Sequence, residues 1–199
     1  MRTLAQKTVF VVALAAALLP TVASADPDEL IPCKRFYDEE YPPSGGDALT
    51  KFRCKPVHGT TFALPSAAAD PTAGGITLTI NTVPPGNGNS SLTASGCRGL
   101  GRPAGSRGYK CAMEPLFPKV MIKPNGITVV VRTFVERILY DTRLPFVDDD
   151  GNDLDVAIIL STVGPSDTKR YCARFSVPPI ENEADEYLGK NTPAPTACW

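Results

Sequence analysis

Between Cys97 and Cys111 runs CRGLGRPAGSRGYKC. Of the thirteen enclosed residues four are glycine, four are basic (Arg98, Arg102, Arg107 and Lys110) and none is acidic. The chemistry open to such a loop is anion binding. Sulfate, phosphate or an acidic polysaccharide would meet four cations, and a glycine-rich backbone can turn N–H groups toward a negative charge. The competing reading is a tight turn closed by a disulfide, its basic side chains merely solvated. Gly99, Gly101 and Ala104 formally fit a dinucleotide-binding GxGxxG/A pattern. That motif needs a buried strand before it and a helix after it, whereas a strand-like GYKCAM follows here.

A second cluster is VDDDGNDLD, residues 147–155, with five aspartates and Asn152. Oxygen ligands at alternate positions suit calcium, so Asp148, Asp150, Asn152 and Asp155 form the candidate ligand set, and calcium is the only cofactor the sequence points to. An EF-hand is excluded by Phe146 and by the lack of a suitably spaced glutamate. Without a metal, Asp150-Gly151 is a hairpin turn between two apolar runs. His58 is the only imidazole. No GxSxG accompanies it, so Ser-His-Asp hydrolysis has little support. Chemistry using two carboxylates remains as the alternative, a secreted hydrolase, although no pair of acids stands out and no catalytic residue is assigned.

These residues sit in a chain of 199. Residues 1–25 have a basic start, an apolar run and a small-residue ASA, the marks of a secretory signal peptide. No later run is apolar enough to span a membrane. Cleavage after Ala25 leaves eighteen basic and twenty-one acidic side chains, a net charge of −3, which argues against a general nucleic-acid binder. All six cysteines follow the leader, and no CxxC occurs. Fifteen pairings are open to them. Nearest neighbours in sequence give Cys33–Cys54, Cys97–Cys111 and Cys172–Cys198.

The elements that must position the loops have period two. Ile76, Leu78 and Ile80 share one face of ITLTINTV, and Val156, Ile158, Leu160 and Thr162 share one face of DVAIILSTV. A third such strand is KRYCARFSV, and a fourth is NGITVVVRTF. Weaker strands are expected at 51–57, 60–64, 90–95, 108–113 and 119–123, with 135–143 ambiguous. If Tyr171 and Phe175 point inward, Cys172 points outward, and the proline-rich tail crosses the outer face to bring Cys198 to it, with Trp199 covering apolar surface. Residues 26–50 are acidic and rich in proline and glycine, and read as an irregular arm tied down by Cys33. A short helix is expected at 183–188, capped by Asn182 and ended by Gly189.

GLGRPAGSRGYK, RYCARF and the closing APTAC, in that order and spacing, resemble a family of uncharacterised exported bacterial β-rich domains, over residues 50 to the end. The resemblance implies export, a β-rich fold and the Cys172–Cys198 link. It implies no substrate or catalytic residue. This chain differs from the family in having cysteines at 97 and 111, where aromatic residues are usual.

The expectation is thus an all-β protein: a signal peptide, an arm over 26–50, and one antiparallel β-sandwich or barrel-like domain over 51–199, stapled by three disulfides. It would be a monomer in the periplasm or outside the cell. Its role would be a non-catalytic binding or structural module contacting an anionic polysaccharide or an envelope protein.

Overall fold

The computed structural model describes residues 26–39, 48–83, 90–112, 119–133, 145–183 and 186–198. Residues 1–25, where a signal peptide is expected, Trp199 and the ambiguous stretch 135–143 lie outside the described residues. In chain order the strands are β1 (Glu29–Leu30), β2 (Cys33–Glu39), β3 (Ala48–Cys54), β4 (Ile76–Val83), β5 (Ser90–Ala94), β6 (Arg98–Gly99) and β7 (Tyr109–Ala112). There follow β8 (Lys119–Lys123), β9 (Gly126–Thr133), β10 (Asp155–Val163), β11 (Thr168–Phe175), β12 (Glu181–Asn182) and β13 (Glu186–Thr192). One four-residue helix, α1 (Pro71–Gly74), starts at Asp70, whose carboxylate accepts the Thr72 N–H at 2.8 Å.

Among the described residues the strands form two sheets. One runs β1-β11-β10-β4-β5, the other β12-β13-β2-β3-β9-β8-β7-β6. They stack face to face as a sandwich and do not close into a barrel. All pairs are antiparallel except β1 on β11. The expected alternation holds: Ile80 lies opposite Ile158 and Leu78 opposite Leu160, all buried between the sheets. From the larger sheet, Phe36, Phe52 and Val129 lie in one cross-strand row. Phe36 meets Phe175 of the other sheet at 5.6 Å and Tyr187 at 5.4 Å between ring centroids. Each such ring contributes about 1.5–3 kcal/mol by burial.

The three disulfides join the nearest-neighbour pairs, which fits an oxidising, exported environment. Cys33 and Cys54 are direct cross-strand partners with Cα atoms 3.9 Å apart. Cys172 does face outward: Tyr171, Ala173 and Phe175 belong to the core cluster and Cys172 does not. It is nonetheless fully buried, as is Ala157, and Ile159 on the same outer face is largely buried.

Three expectations need correction. The segment 26–50 is not irregular where it is described. Residues 33–39 form an inner strand of the larger sheet, and 26–31 are strapped to the edge of the smaller one. The acids of the strap are its fasteners. Glu29 accepts the Ala63 N–H at 2.9 Å and pairs with the buried Lys169 at 3.4 Å. Asp28 holds Arg170 through both oxygens, and Asp26 accepts the Ser66 N–H at 2.8 Å. Residues 60–64 join no sheet; Phe62 N–H donates to the Pro124 carbonyl at 2.8 Å. Where it is described, the stretch expected as a helix at 183–188 is not helical: residues 186–188 belong to β13, which pairs antiparallel with Glu181–Asn182. Asn182 caps nothing. Its amide oxygen accepts the Phe146 N–H at 2.9 Å, and its amide N–H donates to Asp153 at 2.6 Å. Pairing of β13 with β2 overrides the helical preference of ENEADEY.

Candidate functional site

The basic loop is a hairpin at the edge of the larger sheet. Arg98 lies opposite Lys110 and Gly99 opposite Tyr109, and the Cys97–Cys111 bond closes the base. Beyond the strands, Leu100 N–H donates to the Gly108 carbonyl at 2.7 Å and Arg107 N–H to the Leu100 carbonyl at 2.9 Å. Ser106 and Gly108 N–H groups are likewise bonded inside the loop. These four N–H groups therefore do not point at a ligand, and the glycines have another cause. At Gly108, with φ of 107°, a Cβ would lie 1.9 Å from the Ile122 carbonyl oxygen. At Gly105 a Cβ would lie 2.7 Å from the Tyr109 hydroxyl. The glycines let the loop lie flat on β8 and on the buried Tyr109 ring.

Tyr109 ties this floor to α1. Burial raises its pKa above the usual value, and the neighbouring Asp70 carboxylate, which accepts a hydrogen bond from its hydroxyl, raises it further. The loop is thus held by a disulfide, a ladder and a buried tyrosine, so its charges are presented on a fixed frame.

Arg98, Arg102 and Arg107 are exposed and Lys110 is half-buried. Among the described residues none of the four has an ion-pair partner. A cleft of about 580 Å³ opens at the loop's tip beside Arg107, bordered also by Leu100, Ser106, Lys123 and Asn125. Its far wall, Lys123 to Asn125, is the turn between β8 and β9. Sequence reasoning missed those residues because they enter from a neighbouring hairpin. The cleft has two cations and two short polar side chains and no acid, a setting for an oxyanion group rather than for bond cleavage.

The acidic loop is a closed hairpin. Asp148 N–H donates to the Asn152 carbonyl at 2.9 Å, and Gly151, at φ of 81°, donates to the Asp148 carbonyl at 3.0 Å. One Asp148 carboxylate oxygen accepts the backbone N–H groups of Asp150 (3.0 Å) and Asn152 (2.8 Å). The Asn152 amide adds donors to both oxygens. These hydrogen bonds, led by that of the Asn152 side chain, hold the Asp148 carboxyl below its ordinary pKa. Asp155 points elsewhere: it receives Arg174 Nε at 2.7 Å and the Val177 N–H at 2.8 Å. Of the four candidate ligands, Asp148 and Asn152 are together, Asp150 is exposed, and Asp155 belongs to the Arg174 pair. No three His, Cys, Asp or Glu side chains converge among the described residues.

His58 sits in an exposed turn closed by Thr60 N–H on the Val57 carbonyl at 3.0 Å. Asp153, Glu181 and Glu183 line a cleft of about 420 Å³. None is buried, and a proton-donating carboxyl needs desolvated surroundings. Compared with protein-family models, with curated protein sequences and with solved structures, the chain matches none.

Proposed function

We propose that this protein is an exported, non-catalytic module that binds an anionic ligand through the 97–111 loop and the cleft beside it. One observation carries this reading: four basic side chains, unopposed by any acid among the described residues, are held on a disulfide-closed hairpin of a chain whose mature charge is −3. The three disulfides support the exported setting. The test is binding of a sulfated or phosphorylated polymer while salt is raised. Exposed charges are screened over about 8 Å at physiological ionic strength, so affinity falls steeply. The Arg98→Ala/Arg102→Ala/Arg107→Ala variant loses binding while its melting temperature stays within a few degrees of the parent's. A triple variant that binds as the parent does reduces the loop to a stapled turn.

A further inference from the structure

The register of the larger sheet places more cations beside the loop than its sequence contains. Lys190 lies opposite Arg35, Arg35 opposite Arg53, and Arg53 opposite Thr128. Thr128 lies opposite Met121, Met121 opposite Lys110, and Lys110 opposite Arg98. These seven residues make one straight row across β13, β2, β3, β9, β8, β7 and β6. Cross-strand partners point to the same side of a sheet. The positions next to them, Phe36, Phe52, Val129, Val120 and Cys111, face the core, so the row faces outward. Five of its seven members are cationic, and four of those five are exposed. At about 4.8 Å between strands the row is about 29 Å long.

A second row supports the first. Lys51 and Lys119, both exposed, flank Val130 one pleat away. Tyr37 lies in that row, with the Arg35 guanidinium 5.2 Å and the Lys51 ammonium 5.7 Å from its ring centre. These contacts restrain both cations on the sheet surface. Among the described residues, none of the cations in the two rows has an ion-pair partner.

We infer that the outer face of the larger sheet is a binding track for a linear anionic polysaccharide, lying across the strands with one end in the loop cleft. The inference rests on the anion-binding reading of the loop and extends it by five strand spacings. Charge complementarity selects a polyanion, and the shape of the patch selects a chain. Toward one side the cations give way to the paired Glu39 and Glu186. A planar anionic bilayer would meet those acids, whereas a single chain follows the row and avoids them. The oxidising setting of three disulfides favours an extracellular polymer over nucleic acid.

The test uses fluorescently labelled full-length heparin and a heparin tetrasaccharide with the mature protein. The Arg35→Gln/Arg53→Gln/Lys190→Gln variant changes nothing in the loop. It weakens full-length heparin about a hundredfold at low salt, as three cations worth about fivefold each would, and leaves the tetrasaccharide, which the cleft alone holds, unchanged. The loop triple variant weakens both. Should the sheet variant bind full-length heparin as the parent does while the loop variant fails, the track is wrong and the loop site stands. Should both bind as the parent does, both readings fall. Independently of any variant, the parent's logarithmic salt dependence is steeper than four loop cations supply, and a shallower slope overturns the track. Tighter binding of single-stranded DNA or of phosphatidylserine vesicles than of heparin overturns the polysaccharide assignment.

Discussion

Phe36 tests whether residues 33–39 belong to the sandwich. Its side chain is fully buried, with ring neighbours Phe146 at 6.3 Å, Phe175 at 5.6 Å and Tyr187 at 5.4 Å. Truncating a buried phenylalanine costs about 3–5 kcal/mol. Three aromatic partners, each pair worth about 0.5–1.5 kcal/mol beyond area, put Phe36→Ala toward the upper end. For a domain of this size the melting temperature then drops by about 10–15 °C, at about 2–4 °C per kcal/mol. The assay is urea unfolding of the oxidised protein followed by circular dichroism. An unchanged slope with a lower midpoint identifies a loss of stability rather than of structure. A cycle with Tyr187→Phe and Tyr187→Leu isolates the ring pairing, with a coupling of about 0.5–1.5 kcal/mol for the leucine arm. An irregular arm would leave Phe36 in water, where substitutions stay within about 0.5 kcal/mol. A loss below about 1.5 kcal/mol would refute the burial argument.

Replacing Cys97 and Cys111 together by alanine should cost about 3 kcal/mol, from a closed loop with a separation of 14 residues; a loss under about 1 kcal/mol in chemical unfolding contradicts this. Gly108→Ala brings a Cβ to 1.9 Å from the Ile122 carbonyl at a positive φ, so destabilisation of about 3 kcal/mol or more is expected, and a variant that melts with the parent would show that the loop does not lie against β8. Burial raises the hydroxyl pKa of Tyr171 and Tyr187, and that of Tyr109, above 10.0. A raised folded-state pKa means that the folded state holds these protons more tightly than the unfolded chain. Their contribution is therefore intact below about pH 10 and is lost as pH rises above it, which melting curves from pH 8 to 12 will show unless the three rings ionise freely in absorbance titration. Melting curves in millimolar calcium and in chelator should coincide, because the donors of Asn152 already occupy Asp148 and Arg174 occupies Asp155; a rise with calcium would reinstate the metal loop.

The strands that could be recognised from sequence were those with clean alternation over a buried face. In β4, β10 and β9 three alternate residues are aliphatic (Ile76, Leu78 and Ile80; Val156, Ile158 and Leu160; Ile127, Val129 and Val131), and each of those residues lies in the core. The cysteine pairs were legible because each closes a short segment of chain. β2 was not. Its sequence, CKRFYDE, has only one strongly apolar residue in its middle, and the register shift between Cys33 and Arg35 breaks the period of two. Asp38 adds to the disguise, an acid at a core-facing position whose Oδ1 accepts a hydrogen bond from the Thr50 hydroxyl. The 183–188 segment failed for a different reason. Its composition favours a helix, but its pairing partner is β2, some 150 residues earlier, and no local window contains that information.

Charge was the least legible property. A net charge of −1 describes the whole chain and says nothing of its faces. The acids are largely committed to structural contacts: Asp28 to Arg170, Glu29 to Lys169, Asp155 to Arg174, and Asp148 to its own turn. The three ion pairs fasten the strap and join β10 to β11, and each sets a positive charge against the acid's negative one. The cations on the outer face of the larger sheet have no such partners among the described residues, so they remain available. In sequence they are scattered at 35, 53, 98, 110 and 190, and only the two in the loop stand close enough together to be noticed. Antiparallel pairing collapses those separations to one strand spacing each. The loop that drew notice as a local cluster is thus the end of a longer cationic row, and a net negative charge does not argue against a polyanionic ligand here.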